Sequence, residues 1–157
     1  MPVEIERKFL VVSDGWRSGA PGQRFCQGYL AQRDGVTVRV RRAGPRAFVT
    51  IKGEADGIVR PEFEYDIPVE EAEQMLANLC RGPLIEKTRH EVWHEGRLWE
   101  VDVFGGDNAG LVIAEVELDD PAESVTIPPW VGAEVTHDQR YRNSELARHP
   151  MTGAAAG

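Results

Sequence analysis

Short stretches of this chain place ionisable side chains at every second position. Glu4-Ile5-Glu6-Arg7-Lys8 opens the series, which continues through Arg39-Val40-Arg41, Thr50-Ile51-Lys52 and Glu62-Phe63-Glu64. Lys87-Thr88-Arg89, Glu100-Val101-Asp102 and Glu115-Val116-Glu117 complete it. In an extended chain, residues two apart share a face, so the members of each set project together. Acidic pairs converging from several strands would make an all-oxygen site for a hard cation, Mg2+ or Mn2+. Basic pairs from other strands would bind a polyphosphate through charge-assisted hydrogen bonds, the arginines through forked contacts. A cation bridging phosphate oxygens would neutralise charge and polarise a water for attack. Phosphoryl transfer asks for little beyond such positioning and electrostatic stabilisation.

The plain alternative is that these charges coat the solvent side of a half-exposed antiparallel sheet. Two details oppose it. The charges are sorted by strand, whereas solubilising surfaces interleave signs. Glutamate and aspartate are also poor strand formers, so repeated Glu-x-Glu inside strands needs a reason. Like charges stacked across neighbouring strands would repel unless something bound between them. A closed barrel with its charged faces inward answers both points.

The rest of the chain supplies the elements for such a barrel. Period-two alternation marks strands at 4–11, 36–41, 49–52, 62–67, 87–93, 99–104 and 114–118, with a less sharply patterned one at 27–32. About eight strands, mostly consecutive, predict an α+β chain that is mainly antiparallel β, an eight-stranded closed barrel with helices packed outside. Asp34-Gly35 and His94-Glu95-Gly96 read as tight hairpin turns. A helix is expected from Val69 to Cys80, ended by Arg81-Gly82-Pro83, and Asn143 is expected to cap a short second helix. Residues 1–150 read as one domain and 151–157 as a flexible tail.

Composition sets the limits. With 157 residues, 41% hydrophobic and 28% charged, the chain can bury a core without staples. A net charge of −8 argues against nucleic acid, which requires a basic face. It leaves room for a small anion if the 18 basic side chains are concentrated in one place. No apolar run is long enough to span a membrane, and charge fills the N-terminus where a targeting segment would be apolar. Cys26 and Cys80 have no metal-ligand spacing and read as thiols of a reducing cytoplasm.

Glu4-Ile5-Glu6-Arg7-Lys8 at the chain start, followed by the basic and acidic pairs in this order, resembles the CYTH superfamily, the triphosphate tunnel metalloenzymes. Val135-Thr136-His137-Asp138 and Tyr141-Arg142-Asn143 are similar to the C-terminal segment of its small bacterial single-domain members, so the likeness runs from about Val3 to Leu146. The resemblance implies an eight-stranded tunnel that cleaves triphosphates with magnesium or manganese and releases phosphate. It casts Glu4, Glu6, Glu115 and Glu117 as metal-site carboxylates with Asp102 beside them. Glu62 and Glu64 would hold a second metal or orient the attacking water. Arg39, Arg41, Lys52, Lys87 and Arg89 would contact phosphate, and Lys8 both phosphate and water. Tyr29 falls where similar proteins place a tyrosine proposed as proton acceptor. A phenol ordinarily ionises near pH ~10, so basic neighbours would have to lower that value, and a tyrosine that only packs is the alternative.

Inorganic tripolyphosphate is the expected substrate for so compact a tunnel, with the chain acting alone or as a homodimer. The rivals are a thiamine or nucleoside triphosphatase, an adenylate cyclase of the same superfamily (ATP to cyclic AMP and pyrophosphate), and a non-catalytic polyphosphate-binding module. The scattered histidines His90, His94, His137 and His149 read as surface or structural. The tryptophans read as packing between barrel and helices, and Asp138 with Arg140 as a surface pair.

Overall fold

The computed structural model describes residues 2–151. Nine strands and two helices form in the order β1 (Val3–Val11), β2 (Gln23–Arg33), β3 (Val36–Ala43), β4 (Arg46–Lys52), β5 (Val59–Ile67), α1 (Val69–Asn78), β6 (Arg81–His94), β7 (Arg97–Phe104), β8 (Val112–Glu117), β9 (Val131–Glu134) and α2 (Asn143–Arg148). The strands are hydrogen-bonded in the order β5-β4-β3-β2-β6-β7-β8-β1-β9. A further pairing of β1 with β5, with Glu4 opposite Arg60, closes eight of them into an antiparallel barrel. The ninth, β9, takes the β1 edge that β5 leaves free, opposite Phe9 and Val11. The expected tail lies outside the described residues except for Met151. Among the described residues no helix is long and apolar enough to cross a membrane.

The local rules hold at the hairpins. Asp34 and Gly35 have φ of 52° and 78°, and Glu95 and Gly96 have 51° and 76°. These are the positive angles of two-residue turns that match strand twist. Arg81-Gly82-Pro83 is different. It lies inside β6, where the pairing with β2 shifts register between Gln27 and Tyr29. Gly82, at φ 72°, and the donor-less Pro83 fit this irregularity, as a bulge permits. The helix before it therefore stops at Asn78 rather than Cys80.

Because charge occupies the barrel interior, the apolar core lies largely outside it. Ile5, Phe9, Trp99, Val101 and Val116 face outward from β1, β7 and β8 and are covered by Trp16 and Trp130. On the opposite side Val40 and Ala47 pack under Ala72 and Leu76 of α1. Cys26 and Cys80 are free thiols at the margin of this cluster. Trp93 departs from the packing expected of the tryptophans and is 70% exposed. A third cluster is internal: Tyr29, Ile85, Phe104 and Ile113 meet Leu146 and Ala147, so α2 seats against one end of the barrel interior. Tunnel and plug thus come from the same strand faces, charged in the middle and apolar at the α2 end.

Candidate active site

Every residue singled out above for metal, substrate or catalysis lines one cavity of about 290 Å³ inside the barrel, with the exception of Asp102. Strand pairing divides this cavity into two regions. In the first, like charges stand directly opposite one another: Glu6 faces Glu117 and Glu115 faces Glu100. Such pairs destabilise a sheet. Burial, with Glu115 and Glu4 adding repulsion, holds the Glu6 carboxyl well above its ordinary range. Glu117 is raised as well, by burial and by Glu4. No cation lies within ion-pair distance of Glu6 among the described residues.

The other acids of this wall are tied to lysines. Lys52 Nζ donates to both Glu4 oxygens at 3.1 and 2.9 Å, and stands 3.5 Å from Glu62. Against the cost of burial, this lysine lowers Glu4. Lys8 Nζ lies 3.7 Å from Glu115 and donates to the Tyr141 carbonyl at 3.2 Å. Burial would raise Glu115, but Lys8 and Arg89 bring it down to about 2. Burial and Glu4 push Glu62 up to about 7. The donor set therefore fits a hard divalent cation in chemistry: carboxylate oxygens only, centred on Glu6, which has no cation partner among the described residues and whose ionised form a bound cation would stabilise. As the side chains stand, no three acidic, histidine or cysteine groups among the described residues converge on one point. Glu4 and Glu115 would have to turn from their lysines to take an ion.

The second region is basic. Arg89 clamps Asp102 with two bonds, Nε to Oδ1 at 2.8 Å and Nη2 to Oδ2 at 2.9 Å, and reaches Glu100 at 3.2 Å. Lys87 Nζ stands 2.8 Å from the same carboxylate and donates to Asn143 Oδ1 at 2.9 Å. Asp102 is fully buried and lies beneath these two cations rather than on the cavity wall. Despite burial, Lys87 and Arg89 hold its carboxyl far below the usual range. Burial lowers Lys87 to about 7, with Arg89 and Arg41 repelling it. Arg41 is lowered by the same combination, burial first and then Arg39, to about 9. Arg39 donates to Thr50 Oγ1 at 3.2 Å, and Thr50 in turn donates to Glu64 at 2.9 Å.

Several functional candidates were not legible from charge alternation. Arg60 shares the inward parity of Glu62 and Glu64, and that parity was the signal for it. Glu100, the partner of Asp102 in the alternating series, lines the cavity where Asp102 does not. Gln27 and Asn143 are neutral amides that charge alternation does not mark, Asn143 standing out only as an expected helix cap and within the family-like Tyr141-Arg142-Asn143. Gln27 accepts from Arg41 Nε at 2.8 Å and donates to Asn143 at 3.3 Å, so one amide pair orients both Arg41 and Lys87. Asn143 therefore makes no cap on α2. His137 lines the cavity instead of lying apart from it. Tyr29 touches the cavity but packs in the apolar plug, opposite Arg39. Asp138 and Arg140 form an exposed pair, as expected.

The raised carboxyls give metal-free stability a definite pH slope. A carboxyl whose folded pKa exceeds its unfolded value keeps a proton that the unfolded chain has lost, so stability falls as pH rises between the two values. For Glu62 that window runs from 4.5 to about 7, and Glu6, raised as well, contributes in the same sense above 4.5. Glu115 and Asp102 titrate below the window, and Lys87 acts in the opposite sense only above it. In chelator, the melting temperature is expected to fall between pH 5 and 7.5. Millimolar Mg2+ or Mn2+ binds the ionised carboxylates and should flatten or reverse the fall. Scanning fluorimetry across that range checks it, and a metal-independent slope would count against a cation site at Glu6.

A closed antiparallel barrel with its charge inside, opposing a carboxylate wall to a basic one, defines a tunnel protein built for a polyanion and a cation together. The CYTH domain family model matches residues 2–148, and the chain belongs to that family. It is 47% identical over 150 residues to an inorganic triphosphatase of Acetivibrio thermocellus, covering 96% of each chain. It is 42% identical to an inorganic triphosphatase of Nitrosomonas europaea, over 92% of this chain and 96% of that one. A crystal structure of an inorganic triphosphatase superimposes with a TM-score of 0.67 at 38% identity, covering 94% of this chain and 95% of that one.

Proposed function

We propose that this chain hydrolyses triphosphates with a divalent metal, inorganic tripolyphosphate being its substrate and orthophosphate a product. The observation that carries the reading is the opposition, within one tunnel, of a carboxylate wall bearing unneutralised charge and a basic wall prearranged by buried partners. Relatives of near-equal length that are named inorganic triphosphatases agree with it. Glu4, Glu6, Glu115 and Glu117 would hold Mg2+ or Mn2+, which supplies charge neutralisation on the phosphate and a more acidic water. Arg39, Arg41, Lys52, Lys87 and Arg89 hold the phosphoryl oxygens. Because Asp102, Gln27 and Asn143 fix Lys87, Arg89 and Arg41 beforehand, little reorganisation is left to the reaction step. Lys8, between Glu115 and the interior, stabilises charge on the oxygen it faces. Glu62, beside Lys52 and Glu4, and Glu64, held by Thr50, would take a second metal or orient the attacking water. Tyr29 completes the apolar end of the tunnel, where its hydroxyl can still meet a phosphoryl oxygen.

Product analysis with tripolyphosphate, ATP and thiamine triphosphate, each with Mg2+, Mn2+ or chelator, tests the assignment. Metal-dependent orthophosphate release strongest with tripolyphosphate is the expected result. Cyclic AMP and pyrophosphate from ATP would move the chain to the cyclase reading. Metal-independent retention of tripolyphosphate without turnover would make it a binding module.

A further inference from the structure

A second cavity, of about 450 Å³, adjoins the tunnel beside the β2–β3 turn and α2. The residues common to the walls of both cavities are Thr37, Ala55, Arg60, Arg142 and Ser144. This seam holds two guanidinium groups, two hydroxyls and no carboxylate. Farther out, the vestibule arginines pair with acids, Arg33 with Asp34 at 3.4 Å and Arg148 with Glu145 at 3.8 Å, beside a further carboxylate, Glu54. At the seam they do not. Arg60 spends only its Nε, on the Gly53 carbonyl at 2.7 Å, and Arg142 has no carboxylate within ion-pair distance among the described residues. Like charges on a wall shared by two cavities favour an oppositely charged ligand, and guanidiniums with adjacent hydroxyls suit a tetrahedral oxyanion.

We infer that Arg60 and Arg142 form a separate oxyanion site at the portal between tunnel and vestibule, and that its ligand is a phosphoryl group. The inference rests on the triphosphatase reading for the kind of anion that passes there. Two sources share this chemistry: the outermost phosphoryl of the bound chain, and the orthophosphate that leaves after cleavage. Arg142 sits in the turn before α2, while Arg60 opposes Glu4 across the β1–β5 closure. The site thus joins the plug to the barrel seam, on the wall that the two cavities share.

Calorimetric titration in chelator, where no turnover occurs, separates the sources. Tripolyphosphate and orthophosphate are titrated separately into the full chain and into Arg60→Gln, Arg142→Gln and Arg148→Gln. The first two are expected to weaken at least one of the anions about tenfold, while Arg148→Gln, outside the seam, matches the unaltered chain. Weakening confined to tripolyphosphate assigns the site to the bound chain, and weakening confined to orthophosphate assigns it to product. Arg142→Gln removes no ion pair, so it guards against a folding defect in Arg60→Gln. Affinities for both anions unchanged in Arg142→Gln and Arg60→Gln would overturn the portal site and leave the triphosphatase reading standing, since that reading is tested by product release.

Discussion

Replacing Glu6 by glutamine is expected to lower kcat for tripolyphosphate at least about 100-fold while raising the melting temperature of the metal-free protein. Even groups that only support a metal ligand cost about 10–100-fold when removed, so a ligand itself should cost no less. The opposite sign for stability follows from Glu6's surroundings. It stands across from Glu117, feels Glu115 and Glu4, and has no cation within ion-pair distance among the described residues. A neutral amide of nearly the same shape removes that repulsion. The same exchange at Glu4 abandons Lys52, which donates to both its oxygens, and should lower the melting temperature. The pair of variants therefore separates two kinds of carboxylate on one wall. Stability given up for function is expected where a site must hold charge ready for an absent partner. Steady-state kinetics with Mg2+ and melting in chelator test it, and a Glu6→Gln protein less stable than its parent would show that Glu6 is a structural acid.

Much of this barrel could be read from period-two alternation. The parity of Glu4 with Glu6, Arg39 with Arg41 and Glu115 with Glu117 survives folding because it depends only on strand geometry. The hairpins at Asp34-Gly35 and Glu95-Gly96 are legible for a similarly local reason, a demand for positive φ. What parity cannot convey is which strands become neighbours. That Lys52 neutralises Glu4 follows from β1 closing on β5, a contact between residues far apart in sequence. That Asn143 serves Lys87 instead of its own helix follows from α2 entering the end of the barrel. Four-residue β9 shows no alternation strong enough to announce itself and forms because β1 offers a free edge. Gly82-Pro83 carries the local marks of a helix stop, and a bulge in a long strand uses the same two residues for a different end.

These nonlocal pairings make Asp102 the residue whose loss should disturb the fold most. Removing one partner of a buried charge cluster costs about 3–5 kcal/mol, because the remaining charges are left without compensation. For a chain of this size that corresponds to a melting temperature lower by about 6–20 °C. In Asp102→Asn, Arg89 would keep Glu100 and Glu115 nearby, at 3.2 and 3.8 Å, but Lys87 would lose the one carboxylate partner it has at ion-pair distance among the described residues. Lys87 already ionises near neutrality and would give up its proton more readily still. With Lys87 less charged, tripolyphosphate is held less tightly, so its stabilising shift is expected to be smaller in the variant than in the parent. The kinetics distinguish two roles for this aspartate. If it holds the basic wall, KM for tripolyphosphate rises several-fold while the Mg2+ concentration for half-maximal activity stays the same. If it instead joins Glu115 and Glu6 around the cation, the Mg2+ requirement moves first. Buried beneath two cations and bonded to both, Asp102 is placed for the former.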